Sequence, residues 1–208
     1  MKHQIFSRYN SAKVLYECEL PDDTPSGLAV SHALEKAVSV GANLSYADLS
    51  YADLSYADLS GAYLPYADLS YVDLFCANLF CANLYGADLS YANLSYADLS
   101  GAKNDFWEIL IRAPREVAGL RAALVGGKVD GSTYQGSCAC LVGSIANIRG
   151  VGYHALGNGI TPNSSRPAER WFLAIKRGDT PDTNQISNLT VAWLDEFVSL
   201  QAAYAEAV

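Results

Sequence analysis

Cys138-Ala-Cys140, with His154 fourteen residues further on, holds the residue types from which zinc sites and thiolate nucleophiles are built. Structural zinc takes four nitrogen or sulfur ligands, and no second cysteine pair or neighbouring histidine completes the set. A Cys–His pair oriented by Asp130 would make a nucleophile. Against it, both cysteines lie in SCACLVGSIANI, an apolar run where a free cysteine behaves as a small core residue. The expectation is no metal, no cofactor and no catalytic residue. A second group is basic: Arg166 and Arg170 in SSRPAERWF share a side with Arg177 if one helix runs from Pro167 to Arg177. With Arg112 and His154 they form the candidate pocket for a small anion. GVGYHALGNG, residues 150–159, is glycine-rich but lacks the Lys-Ser/Thr of a phosphate loop, and GxGxxG, HExxH and GxSxG are absent.

The third chemical feature is charge. The chain has 208 residues and a formal net charge of −8, unevenly placed. Residues 1–40 carry four Lys/Arg against five Asp/Glu, and residues 102–208 carry ten against ten; the stretch between has seven Asp and no base. Such a block repels nucleic acid and membrane surfaces and attracts basic protein surfaces. Five cysteines, an odd number scattered along the chain, fit reduced thiols. No apolar run reaches the ~20 residues of a membrane helix, and MKHQIF is not followed by a signal-peptide core. The expected location is the cytoplasm.

The acidic stretch is a strict repeat. From Ala42 to Gly101 it divides into twelve five-residue units, ANLSY, ADLSY, ADLSY, ADLSG, AYLPY, ADLSY, VDLFC, ANLFC, ANLYG, ADLSY, ANLSY and ADLSG, with Leu in every one. A period of five matches neither the 3.6 of a helix nor the 2 of a flat strand, so the units must stack. Ala and Leu face in together.

This tandem A-(D/N)-L-x-x pattern resembles the pentapeptide-repeat family. The resemblance implies a right-handed quadrilateral β-helix with four units per turn, in which Leu and the preceding small residue fill the interior. The sequence is consistent with four per turn: units two, six and ten are all ADLSY, and units four, eight and twelve end in Gly61, Cys81 and Gly101. Three coils at ~4.8 Å per layer make a solenoid about 14 Å long.

Stacking places the outward residues in columns. Asp48, Asp68 and Asp88 form one, beside Tyr51, Tyr71 and Tyr91; Asp53, Asp73 and Asn93 form the next; Asp58, Asn78 and Asp98 the third. The fourth, Asn43, Tyr63 and Asn83, has no charge. In coil two Phe75, Cys76, Phe80, Cys81 and Tyr85 replace the usual outward residues with an apolar belt that something should cover, either the chain's own C-terminal part or another protein surface.

Three parts follow: a cap over 1–41, the repeat over 42–103, and a mostly helical domain over 104–208. The cap reads as a hairpin turning at Asn10-Ser11 and a helix over LAVSHALEKAVSV that ends at Gly41. Asn104-Asp105 with Glu108 reads as a capping box opening a helix that Pro114 ends. A final helix from Gln185 to about Ala203 presents Ile186, Leu189, Trp193, Phe197 and Leu200 on one face.

The function expected is a non-enzymatic protein-binding module. Its acidic surface would engage a basic or nucleic-acid-binding site of a partner protein, with no direct contact to nucleic acid or membrane. The layout resembles pentapeptide proteins of bacteria and their phages, which implies an inhibitor, in part a DNA mimic, acting on a host DNA-processing or defence complex. Two alternatives stand beside it: an anionic-ligand or catalytic C-terminal domain with the solenoid as scaffold, and a structural homodimer formed through the belt or the last helix.

Overall fold

The computed structural model of the chain describes residues 1–206. Two compact units form, Met1–Ala102 and Lys103–Val208.

In the first unit, β1 (Lys2–Ser7) and β2 (Asn10–Glu19) pair antiparallel and make the one named sheet among the described residues. The turn is Arg8-Tyr9, two residues earlier than the expected Asn10-Ser11. The register explains the difference: Ser7 pairs with Asn10. Asn10 instead accepts the Ala12 N–H on its side-chain oxygen at 3.0 Å, inside a strand made irregular by bulges. α1 (Ala29–Ser39) buries Ala33, Leu34 and Ala37, and its Ala29 and Ala33 meet Leu20 and Cys18 of the hairpin side.

The repeat has no extended strands. Residues twenty apart meet through single parallel bridges: Asp48 to Asp68 to Asp88, Asp53 to Asp73 to Asn93, Asp58 to Asn78 to Asp98, and Tyr63 to Asn83. Between them backbone bonds climb from coil to coil, such as Leu54 N–H to Asp73 O at 2.8 Å and Asp73 N–H to Ala52 O at 3.0 Å. Every repeat Leu is buried, none more than 8 % exposed. The bridges stay one residue long because every unit turns. Its fifth residue lies in the left-handed region, from Tyr46 at φ 66° to Tyr96 at φ 60°. An open coil end exposes unpaired backbone; here β1 covers part of the first, with Asp48 N–H bonded to Phe6 O and Arg8 N–H to Tyr46 O.

The second unit is helical. α2 (Ser100–Arg112) starts four residues before the expected capping box, because Asp98 of the last repeat already accepts the Ser100 N–H at 2.9 Å. α3 (Val117–Val125), α4 (Leu141–Arg149), α5 (Pro167–Phe172) and α6 (Gln185–Glu206) follow. Phe106, Leu110, Leu120, Leu124, Ile145 and Phe172 form its core, and the Phe106 and Phe172 rings lie 5.5 Å apart. α5 stops five residues short of the expected Arg177. Beyond it the backbone turns to bond Gly131 N–H to Ile175 O and Gly178 N–H to Gly127 O, so Arg177 shares no helix face with Arg166 and Arg170. α6 runs three residues past Ala203, and its apolar face ends at Phe197; Leu200 is 55 % exposed. Among the described residues no helix is long and apolar enough to cross a membrane.

Candidate interaction surface

The repeated carboxylate has a local task. Asp53 Oδ1 accepts the Ser55 N–H at 3.0 Å and the Ser55 hydroxyl at 2.6 Å. Asp48 and Asp68 hold Ser50 and Ser70 in the same way. Asp58, Asp73, Asp88 and Asp98 each accept the N–H two residues on, as do Asn43, Asn78, Asn83 and Asn93. Eleven of the twelve units thus close an Asx turn, which Asn and Asp serve equally; the fifth has Tyr63 in place of the acceptor and Pro65, which has no N–H, in place of the donor. Serine hydroxyl and amide donors hold the Asp53, Asp58 and Asp98 carboxyls below their ordinary value of 3.8, so these groups stay ionised.

Charge along the columns is relieved from within the fold. Asn78 donates to Asp58 Oδ1 at 3.0 Å and Asn93 to Asp73 Oδ1 at 2.9 Å. The all-Asp column has its own cation, Arg8, whose Nη2 lies 3.3 Å from Asp68 Oδ2 while Nη1 donates to Tyr66 O. Sequence reasoning missed Arg8, because nothing in a hairpin pattern says which coil it will touch.

Beside the carboxylates stand aromatic ladders. Tyr51, Tyr71 and Tyr91 stack at 4.9 and 4.7 Å, with Tyr51 and Tyr91 73 % and 76 % exposed. The apolar belt joins these ladders instead of forming a separate strip. Cys76 leaves a gap between Tyr56 and Tyr96, and Phe75, one residue earlier, fills it edge-on at 5.5 and 5.6 Å. Tyr85 likewise meets Tyr66 edge-on at 4.8 Å where Gly86 has no side chain. Of the belt, only Phe80 and Cys81 stay exposed.

The candidate anion pocket of the second unit is not assembled. Arg166 donates from Nε to Asp105 Oδ1 at 2.9 Å, Arg112 pairs with Glu108, and Glu108 lies 3.5 Å from Arg166, a network of two cations and two anions with no free charge. Asp105 and Glu108, expected to cap α2, are consumed here. His154 is exposed on a short 3-10 turn against the Tyr153 ring. Arg170 lies half-buried on α5. Asp130 is tied to Ser132 by N–H and hydroxyl, the turn chemistry of the repeat, and orients no histidine. Cys138 is half-buried; Cys140 is buried and burial pushes its thiol up to about 12, so it remains protonated. Among the described residues no group of His, Cys, Asp and Glu is gathered to hold a metal.

Two buried carboxylates escaped sequence reasoning. Glu116 receives both Arg149 Nε at 2.8 Å and Nη2 at 3.0 Å, and the Arg149 bond holds it below its ordinary value. Glu169, 2 % exposed, accepts the Tyr134 hydroxyl at 2.8 Å and the Asn163 N–H at 3.2 Å, and burial raises its pKa. The available signal was a lone acid beside Ala168, Trp171 and Phe172 in a helix. A shallow pocket of about 260 Å³ between α3 and α4, with Lys128 and Asn147 in its lining, also went unforeseen.

The family model for pentapeptide repeats matches residues 42–79 and 77–103, in eight copies. Comparison with curated proteins and with solved structures gives no match. The twenty-residue register, the buried Leu column and the Asx turns of eleven of the twelve units agree with that match, which covers residues 42–103 of the 208.

Proposed function

We propose that residues 42–103, wound as a right-handed quadrilateral solenoid, are a non-enzymatic protein-binding platform in the cytoplasm. Its acidic columns engage a basic, nucleic-acid-binding site on a partner protein. The observation that carries this reading is the rigid juxtaposition of the Asp48-Asp68-Asp88 column with the stacked, exposed Tyr51-Tyr71-Tyr91 ladder. Carboxylates locked in turns lose no side-chain entropy on binding, so their charge is preorganised. Duplex DNA carries one charge per ~1.7 Å, hence about eight phosphates over 14 Å, close to the seven Asp here. A 14 Å segment covers less than half of a ~34 Å duplex turn, which suits a local plug in a DNA-binding groove. An inhibitor of a DNA-processing or defence complex would work this way.

The test replaces Asp48, Asp53 and Asp58 by Asn together. Asn keeps the turn acceptor, so only charge changes, and Asp68 is left to Arg8. Tagged wild type should capture a stoichiometric basic protein from lysate at low salt, releasing it to raised salt and to competing duplex DNA. The variant should capture little of it. Equal capture by both proteins at low salt would end the electrostatic reading.

A further inference from the structure

Two helices of the second unit touch at one point and leave a gap beside it. Ile148 of α4 packs so closely on Gly119 of α3 that a Cβ there would lie 2.7 Å from its Cγ2. Farther along, α3 offers only the methyls of Ala122 and Ala123 towards Ser144 and Asn147 of α4, and a cavity of about 260 Å³ opens between them.

The polar lining of this cavity is one-sided. Lys128 supplies a cation, and no carboxylate lines the space. The cations of the flanking helices are spent, Arg121 on Asp195 and Arg149 on Glu116. Lys128 makes no ion pair and no side-chain hydrogen bond among the described residues. Its stem lies beside Gly126, with Cε 4.0 Å from where a Cβ would stand. The carbonyls at that helix end, of Ala122, Ala123 and Leu124, already accept the N–H groups of Gly126, Lys128 and Gly127. The ammonium is therefore not needed to finish α3. The Ser137 hydroxyl is likewise without a partner among the described residues. Asn147 spends its Nδ2 on Gly136 O at 2.8 Å, which leaves its Oδ1 to accept.

We propose that this cavity binds a small organic carboxylate. The Lys128 ammonium and the Ser137 hydroxyl donate to the carboxylate, and Ala122, Ala123 and Ile148 take an apolar body. Asn147 Oδ1 can receive a donor carried on that body. The lining favours carboxylate over phosphate, because phosphate sites gather an arginine fork or a nest of backbone N–H groups, and no arginine lines this one. Size narrows the class further. At ~30 Å³ each, the share of one water in the liquid, the cavity holds about nine non-hydrogen atoms.

The experiment follows the backbone amide signals of the full chain by two-dimensional NMR while benzoate is added at constant ionic strength. Signals of Lys128, Ser137, Ser144 and Asn147 should shift and saturate, with a Kd on the order of 1 mM for a ligand this small. Neutral benzamide and inorganic phosphate should each bind at least ~10-fold more weakly, the loss of one charge-assisted contact. Lys128→Met keeps an exposed stem and removes the charge. It should weaken benzoate by the same factor and leave the rest of the spectrum as in wild type. Four results would overturn the proposal: no saturation by benzoate, equal affinity for benzamide, equal affinity for phosphate, or undiminished binding to the Met variant. The cavity lies wholly within the second unit, so this test and the lysate capture by the acidic columns can fail separately.

Discussion

Asn78 donates its side-chain amide to Asp58 one coil below, at 3.0 Å, and Asn93 does the same for Asp73 at 2.9 Å. In these two pairs the Asn relieves a carboxylate in its own column, which the all-Asp column of Asp48, Asp68 and Asp88 does without. An Asn above an Asp supplies a proton where a second Asp would supply a like charge.

Asn93→Asp removes that donor and sets two carboxylates one coil apart. At about 1 kcal/mol for unit charges at contact in water, the expected loss is roughly 2–4 °C in Tm. Salt should recover part of it. A thermal melt unchanged at low salt would show that the bond contributes nothing.

Two repeat glycines have positive φ but different surroundings. A Cβ at Gly61 (φ 69°) meets nothing, whereas a Cβ at Gly86 (φ 60°) would lie 2.8 Å from two carbons of the Tyr66 ring. Gly61→Ala should cost about 1 kcal/mol from the left-handed backbone alone. The neighbouring units place Tyr at the same φ, so the strain is one this coil tolerates. Gly86→Ala should cost more by about 1–3 kcal/mol, because the Tyr66–Tyr85 pair must shift to admit a methyl. Urea midpoints of the two variants give the comparison; equal midpoints would refute it.

Glu116 is buried and takes both of its side-chain hydrogen bonds from Arg149, which also donates to Leu156 O at 2.6 Å. Arg149→Ala should cost about 2–3 kcal/mol, less than the ~3–5 kcal/mol of breaking a fully buried pair, since Arg149 is partly exposed. The pH dependence follows from the lowered Glu116 value. Wild type keeps this stabilisation above 4.5, the unfolded value, and loses it as pH falls through the lower folded value. Stability curves of wild type and variant should converge towards acid, and a gap constant with pH would contradict the assignment.

Glu169 has the opposite sign. Burial raises its pKa above 4.5, so ionisation is harder in the folded chain, and stability falls as pH rises from 4.5 through the raised folded value. Glu169→Gln keeps an acceptor for the Asn163 N–H and carries no charge. It should flatten that part of the pH–stability profile, whereas Glu169→Ala leaves Tyr134 and Asn163 without their acceptor and should cost about 1–3 kcal/mol. Trp171, on the same helix and stacked 4.8 Å from Trp193, provides the fluorescence signal. A Gln variant with the wild-type slope would place the titration elsewhere.

The repeat was legible because its code is local and periodic. One Leu every five residues dictates what faces in, a twenty-residue recurrence of corner residues dictates what sits above what, and each Asx turn is made within three residues. The tyrosine ladders follow from the same periodicity. What the letters alone left open are contacts across long separations. That Arg8 lies on Asp68, and that Asp105 of the expected capping box takes Arg166, depends on tertiary packing, whereas Glu108 pairs with Arg112 four residues on in the same helix. So does the burial of Glu169. In the second unit apolar spacing located the final helix, yet the ends of α2 and α5 came from partners outside each helix: Asp98 at the start of one, and the backbone of Gly131 and Gly127 beyond the other. A pattern within one helix specifies its apolar stripe. Hydrogen-bonding groups supplied by distant chain decide where α5 stops and which charge Asp105 meets, and only folding brings those groups within reach.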